Sequence, residues 1–476
     1  MPLWTADEAM DATGGQSNVP WDAHGVSIDT RTLQAGDLFV ALSAQRDGHE
    51  FVLQALEAGA AAALVTYRPE GVGDDAPLLI VPDVLEALVA LGKAARARTQ
   101  AKVIAVTGSV GKTSTKEMLK TVLEYQGLTH ASVASYNNHW GVPLTLARMP
   151  FDTQYAIFEI GMNHPGEIAP LSKMVQPHVA MITTIGQAHM EAFESIEGIA
   201  QEKSDIVVGL LPGGAVILPA DVGTIDILVQ AALTCGATIV GFGETADAFR
   251  LTALETHRDV TVIQARMRGN PAALRLNTVG RHFAVNAMGV LAAVEAMGGD
   301  PGRAAVDLFR WQPLAGRGLR ETIILDMADT QAYIELIDDA YNANPTSVAA
   351  ALEVLAAVVP SESNRKADDA RKIVILGDML EIGADEIIQH AALAQNPHLL
   401  AADVVHCIGP RMRTCYEALP VDIRGHWAKT AVEFSVNLDE LIFAGDTVLV
   451  KGSLGSRVSM IVDLIRNLGQ RSQPKV

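Results

Sequence analysis

The run Val103-Ile104-Ala105-Val106-Thr107-Gly108-Ser109-Val110-Gly111-Lys112-Thr113 constrains this chain more than any other. Its first five residues have the length and apolar character of a buried strand. Two glycines, a lysine and a hydroxyl follow in fixed order, and helical sequence resumes from about Thr113. A strand, a tight turn and a helix N-terminus in that order aim several backbone N–H groups at one point, which suits a phosphate. Lys112 then reaches the outer phosphates of a nucleotide, and the Thr113 hydroxyl is an oxygen ligand for Mg²⁺. The full eight-residue phosphate-loop pattern has Gly where this chain has Val106, so the motif is a variant. The competing reading is a chance glycine-rich turn, and it must explain why every element occurs in the required order. Gly108, Ser109, Val110, Gly111, Lys112, Thr113 and Ser114 are the candidate phosphate-binding set.

The chain around this motif reads as α/β throughout. Its 476 residues suggest about three domains at roughly 150 residues each. Residues 1–99 form a small α/β unit, with strands expected at 37–42, 62–66 and 78–81 and helices at 51–63 and 83–98. Residues 100–313 form the phosphate-loop unit, a mostly parallel sheet covered on both faces, with strands at 103–107, 155–160 and 179–183. Residues 314–476 repeat the alternation as a Rossmann-like, doubly wound unit. Strands are expected there at 322–325, 332–337, 372–376, 404–408 and 447–451, and helices at 347–358 and 386–393. The polar run 361–369 reads as a surface loop, and the tail after Gln470 as disordered.

Charge narrows the partners. Lys and Arg total 36 against 55 Asp and Glu, a net charge of −19, which disfavours non-specific nucleic-acid binding and anionic membranes. Three cysteines without CxxC spacing make neither a disulfide framework nor a thiolate zinc site, so a reducing cytoplasm is the expected setting. No uncharged apolar run approaches 18 residues, and the acidic first residues lack a signal-peptide pattern.

Five further places carry chemistry. Glu159 ends an apolar strand, where a carboxylate would sit beside the phosphate loop as a metal ligand, although a solvated strand-end Glu is the commoner case. His189 follows the next strand, and a satisfied surface His is the bland alternative. Lys203, beside Glu202 and Asp205, reads locally as a solvated lysine. Arg317 between Gly316 and Gly318 sits on a turn between two units, well placed as a hinge with a phosphate-facing guanidinium or as a plain linker. The run Asp338-Asp339-Ala340-Tyr341-Asn342-Ala343-Asn344-Pro345 reads as a polar loop after a strand, able to contact a ribose, and Asn344 to Ser347 has helix-entry chemistry.

Taken together, these residues resemble the Mur ligases of bacterial cell-wall synthesis. The order is the Thr107–Thr113 run, Asn137-Asn138, Glu159-Ile160-Gly161-Met162-Asn163, His189, Lys203, Asn286, Arg317 and the Asp338–Pro345 run. That run, Gly377-Asp378-Met379-Leu380-Glu381-Ile382-Gly383 and the N-terminal 28–31 and 47–49 stretches are similar to the D-alanyl-D-alanine-adding branch. The resemblance spans about residues 3–468. It implies an ATP-dependent amide ligase joining D-alanyl-D-alanine to UDP-N-acetylmuramoyl-tripeptide through an acyl phosphate, in the bacterial cytoplasm and as a monomer. Its first domain would hold the UDP end of the substrate, its second ATP and its third the dipeptide.

The resemblance also assigns residues. Lys112, His189 and Lys203 would be catalytic. Thr113, Glu159, His189 and Lys203 would hold two Mg²⁺ ions, with Lys203 carbamylated. Asn286 would contact adenine, Arg317 would reach ATP from the domain boundary, and Asp338 or Asp339 would contact the ribose. Ser27, Thr30, Arg31, Asn137 and Asn138 would bind substrate. Two other readings compete: a folylpolyglutamate-type ligase sharing the nucleotide residues, and a phosphate-loop regulatory module without acyl chemistry and without need of Lys203.

Overall fold

The computed structural model describes residues 1–476 except 44–45, 258, 327–328, 330–331, 359–369 and 472–476. Three main sheets follow one another along the chain. The first has five strands in the order Gln16–Ser17, Leu78–Ile80, Ala62–Val65, Asp37–Val40 and Gly25–Ser27. All neighbours are parallel except the first pair. The expected helix over 51–63 is shorter: a single 3₁₀ turn at Gly48–Phe51 leads into Val52–Glu57. The apolar spacing continues beyond Glu57, but Gly59 takes a positive φ and turns the chain into the strand that starts at Ala62.

The helix Val84–Arg98 joins this unit to the next. Its basic end does more than face the helix dipole. Arg96 Nε donates to the Val175 carbonyl at 2.8 Å, and Arg98 Nη2 donates to the Leu3 carbonyl at 2.8 Å. Trp4 Nε1 donates across the same boundary to the Ala147 carbonyl at 2.8 Å.

The central sheet has nine strands in the order Asn270–Leu276, Val260–Met267, Phe249–His257, Thr238–Gly243, Ala215–Pro219, Val179–Ile182, Lys102–Thr107, Tyr155–Glu159 and Thr129–Ala131. From Phe249–His257 to Thr129–Ala131 all neighbours are parallel. The interior strands are apolar on both faces because helices cover both. Ile104 and Val106 pack with Met118, Leu119, Val290 and Leu291 on one side, and Val103 and Ala105 with Val142, Ile168, Leu171 and Ile199 on the other. The sheet is mostly parallel, as expected, and three strands over 249–276 pair antiparallel with one another at its edge. That region alternates exposed and buried residues, as a sheet with one wet face does, rather than showing the continuous apolar runs of its parallel neighbours.

The third sheet runs Arg424–Ala428, Val404–Ile408, Lys372–Gly377, Thr447–Lys451, Tyr333–Asp339, Leu319–Ile324 and Gln470–Arg471. The first five are mutually parallel and the last two are antiparallel additions. Three expectations shift. The strand expected at 322–325 is Leu319–Ile324, the one expected at 332–337 is Tyr333–Asp339, and Gln470–Arg471 pairs with Ile323 and Ile324, while the rest of the tail expected to be disordered, 472–476, lies outside the described residues. Asp338 and Asp339 are therefore the last two strand residues, not loop residues. The polar loop expected at 361–369 lies outside the described residues. The helix expected at 347–358 is Pro345–Ala357, opened by a reciprocal cap. Asn344 Oδ1 accepts from Ser347 N–H at 2.9 Å and Ser347 Oγ accepts from Asn344 N–H at 3.0 Å. Among the described residues no helix is long and apolar enough to cross a membrane.

Candidate active site

The carboxyl ends of Lys102–Thr107, Tyr155–Glu159 and Val179–Ile182 lie side by side at the middle of the central sheet. Successive connections leave this point toward opposite edges. The loop after the first of these strands is locked by two glycines. Gly108 has φ +149°, and a Cβ there would lie 1.9 Å from Thr183 Oγ1. Gly111 has φ +85°, caps the helix Lys112–Leu123, and a Cβ there would lie 2.9 Å from Asn286 Nδ2. Both conformations are costly for any side chain, and neither site has room for one. The loop is pinned to the next strand: Thr183 Oγ1 donates to the Val110 carbonyl at 2.6 Å, and Ser109 Oγ donates to the Gly186 carbonyl at 2.9 Å.

A cavity of about 560 Å³ opens over this loop, between the central and third sheets. It is lined by Ser109, Val110, Gly111, Lys112, Thr113, Ser114, Asn137, Asn138, Glu159, His189, Asn286, Arg317 and Asp339, so most of the sequence-derived candidates converge there. Lys112 Nζ folds back to the Gly108 carbonyl at 2.8 Å. Burial holds its amine below the usual lysine range, against the opposing pull of the Glu159 carboxylate. Glu159 is 1% exposed, and each of its oxygens has a partner. Thr113 Oγ1 donates to Oε2 at 2.8 Å and Asn137 Nδ2 donates to Oε1 at 2.7 Å. The solvated strand-end Glu is thereby set aside.

Lys203 lies outside the cavity wall, and its surroundings correct the local reading of a solvated lysine. It is 1% exposed. Burial, then the nearby Lys112 charge, pushes its pKa well below the usual lysine range. The helix Ile196–Ser204 carries it inward beside Ile199 and Ala200. His189 takes a left-handed backbone, φ +59°. Burial, then Lys112 and Lys203, lowers its pKa to about 4, and its Nδ1 lies 2.9 Å from Glu381 Oε2 of the third unit.

Arg317 closes the cavity from the turn between the second and third sheets. Its Nη2 donates to Ser135 Oγ at 2.6 Å, and its guanidinium lies 4.1 Å over the Tyr341 ring. The turn is tied to the third sheet by Gly318 N–H donating to the Asp338 carbonyl at 2.8 Å. The two acidic candidates separate by strand alternation. Asp339 faces the cavity, where Lys451 Nζ donates to its Oδ2 at 2.7 Å and burial raises its carboxyl pKa. Asp338 points the other way, to Arg466 Nη2 at 2.7 Å.

Three of the expected substrate residues do not join this cavity. Ser27 is buried with its Oγ donating to the Asp29 carbonyl, Arg31 is exposed and paired with Asp29 at 2.6 Å, and Thr30 Oγ1 lies 3.5 Å from Gln54 Oε1. Several lining residues were not singled out in the sequence, among them Ser135, Asp221, Glu244, Arg281 and Lys451. Lys451 could have been found, because it ends the buried strand Thr447–Lys451 as Glu159 ends its own. Ser135 carries no such signal.

Oxygen donors of the Thr113 and Glu159 kind suit Mg²⁺, a cation that keeps several waters and takes few protein ligands. Among the described residues no three His, Cys, Asp or Glu side chains converge as a ready-made metal cage. The site fits a hydroxyl-and-carboxylate pair completed by phosphate oxygens and water.

The chain is similar in sequence and fold to known proteins. Family models match in three segments: "Mur ligase family, catalytic domain" over residues 22–110, "Mur ligase middle domain" over 106–294 and "Mur ligase, glutamate ligase domain" over 325–454. The UDP-N-acetylmuramoyl-tripeptide–D-alanyl-D-alanine ligase of Rickettsia prowazekii is 32% identical, covering 97% of this chain and 99% of that one. Among solved structures, MurF from Acinetobacter baumannii is 30% identical with a TM-score of 0.81, covering 98% and 99%. MurF from Thermotoga maritima, in complex with ADP, shares the fold at 22% identity and a TM-score of 0.76, covering 93% and 97%.

Proposed function

The chain belongs to the Mur ligase family, and from that premise we propose that it joins D-alanyl-D-alanine to UDP-N-acetylmuramoyl-tripeptide at the expense of ATP. The observation that carries the reading is the convergence on one cavity of a phosphate loop, the Thr113–Glu159 oxygen pair and an arginine delivered from the third unit. A carboxylate is too poor an electrophile to react with an amine directly. In the first step a carboxylate oxygen of the tripeptide bonds to the γ-phosphorus as the bond to the bridging oxygen breaks and ADP leaves. In the second, the dipeptide amine bonds to the acyl carbon, inorganic phosphate departs and the nitrogen loses a proton.

The chain's own groups divide this work. The loop N–H groups and Lys112 hold the phosphates and oppose the charge of the transferred group. Arg317 bears on the same group from the opposite wall. Asn286, which lies against the loop at Gly111, would contact the adenine, and Asp339, which lines the cavity, would contact the ribose. Thr113 and Glu159 would hold a first Mg²⁺, and His189 and a carbamylated Lys203 a second. Bound Mg²⁺ supplies charge neutralisation at the phosphate oxygens. The neutral amine of Lys203 is the form that adds carbon dioxide, and the addition turns an uncharged buried group into an anionic oxygen donor. Ser27, Thr30 and Arg31, on the first unit, would meet the UDP end of the substrate. We place the reaction in the bacterial cytoplasm and on a single chain.

The test is phosphate release with ¹⁸O in the tripeptide carboxylate. The expected result is release that requires both UDP-N-acetylmuramoyl-tripeptide and D-alanyl-D-alanine, with the label in the phosphate. ATP turnover indifferent to D-alanyl-D-alanine, or unlabelled phosphate, rejects the ligase.

A further inference from the structure

One buried cation beside the site has no part in the chemistry above. Lys116 lies one turn after Lys112 on the same helix and is 0% exposed, among the largest fully buried side chains in the molecule. A lysine is rarely buried to this degree unless all its donors are met. Here they are. Nζ donates to the Ser132 carbonyl at 2.7 Å, to the Ala134 carbonyl at 2.7 Å and to Glu117 Oε1 at 2.7 Å.

The two carbonyls belong to one segment, two residues apart, and reach the same ammonium because Ala134 takes a left-handed backbone, φ +48°. Alanine avoids that region, so the conformation persists only where surroundings impose it. The segment it shapes touches the site three times. Ser132 Oγ accepts from Glu159 N–H at 3.2 Å. Ser135 Oγ accepts from Arg317 at 2.6 Å, and Asn137 Nδ2 donates to Glu159 at 2.7 Å. The same segment thus holds the strand-end carboxylate and docks the arginine that arrives from the third unit.

We propose that Lys116 is a positioning residue of the nucleotide site: by gripping the Ser132 and Ala134 carbonyls it sets the 132–137 segment so that Glu159 and Arg317 meet the phosphates from opposite sides. It touches no reacting atom itself. The inference rests on the nucleotide-binding reading above, and the experiment separates the two.

The measurement is calorimetric titration of the full chain with a non-hydrolysable ATP analogue and Mg²⁺, with thermal unfolding as the control for folding. Lys116→Met, similar in length and without donors, is expected to weaken binding about tenfold in the otherwise native chain. In an Arg317→Ala background the same change is expected to cost less than about threefold, because the contact it organises is already gone. Lys116→Arg, which keeps the charge and the donors, is expected to recover binding to within about threefold of the native chain. A lysine that only fills the core predicts lower thermal stability with unchanged affinity, or an equal loss in both backgrounds, and either result overturns the proposal. Failure of both Lys116 variants to fold also overturns it, by assigning the residue to the fold alone. A native chain that does not bind the analogue instead refutes the nucleotide site.

Discussion

Lys203 shows how far a residue's setting can depart from its local sequence. Glu202 and Asp205 flank it, yet Glu202 turns its carboxylate to the Gly166 and Ile168 N–H groups at 2.7 and 3.0 Å. Burying an ammonium beside the Lys112 charge is costly, and its pKa is pushed down accordingly. The proposed carbamate gives that buried nitrogen a function. Replacing Lys203→Ala is expected to lower turnover by at least about a hundredfold, and adding a short carboxylic acid to restore part of it. Steady-state phosphate release across a series of added acids checks this, and full native ATPase in the variant favours a nucleotide switch without acyl chemistry. His189 belongs to the same scale. A polar residue after a strand says nothing of its left-handed backbone, its burial or its partner Glu381, 192 positions along the chain.

At the scale of elements, the strand–loop–helix unit was legible because every part of it is local. The strand Lys102–Thr107 and the start of the helix Lys112–Leu123 lie within one residue of the reading from sequence. The glycines are required by neighbours that the local sequence does not contain: Thr183 behind Gly108 and Asn286 behind Gly111. Gly111→Ala is expected to cost roughly 1–2 kcal/mol of stability, from the positive φ and the crowded amide of Asn286. It is also expected to weaken nucleotide binding. Denaturant unfolding and nucleotide titration measure the two effects, and an unchanged affinity would show that the loop tolerates displacement. The reciprocal cap at Asn344 was legible for the same reason, since its partners lie within four residues. The antiparallel extension over 249–276 was not, because alternation on an edge sheet is a weaker signal than a long apolar run.

Across the whole molecule, the site exists only where units meet. Arg317 comes from the turn before the third sheet, Asp339, Tyr341 and Lys451 from that sheet and its loops, and the phosphate loop from the central one. Arg317→Ala is expected to reduce kcat/KM for ATP at least about a hundredfold, as removal of an arginine bearing on a transferred phosphoryl group does. Its unfolding midpoint should stay near that of the native chain, because the lost contacts lie at the rim of a cavity. Kinetics and thermal unfolding on one preparation test both halves, and a small kinetic effect would place Arg317 in the linker rather than at the nucleotide.

The order of strand, glycine turn, lysine and hydroxyl determined by itself that this chain carries an anion-binding helix start inside a parallel α/β sheet, since those preferences act over a few residues. Strand alternation chose between Asp338 and Asp339, but only once the strand's true end was known, two residues beyond the apolar run. The burial of Lys203, the grip of Lys116 and the meeting of Arg317 with Ser135 were decided by tertiary structure alone. Each depends on what long-range packing excludes from water or brings within 3 Å, across separations of up to 182 residues, and such proximity leaves no periodicity in the chain.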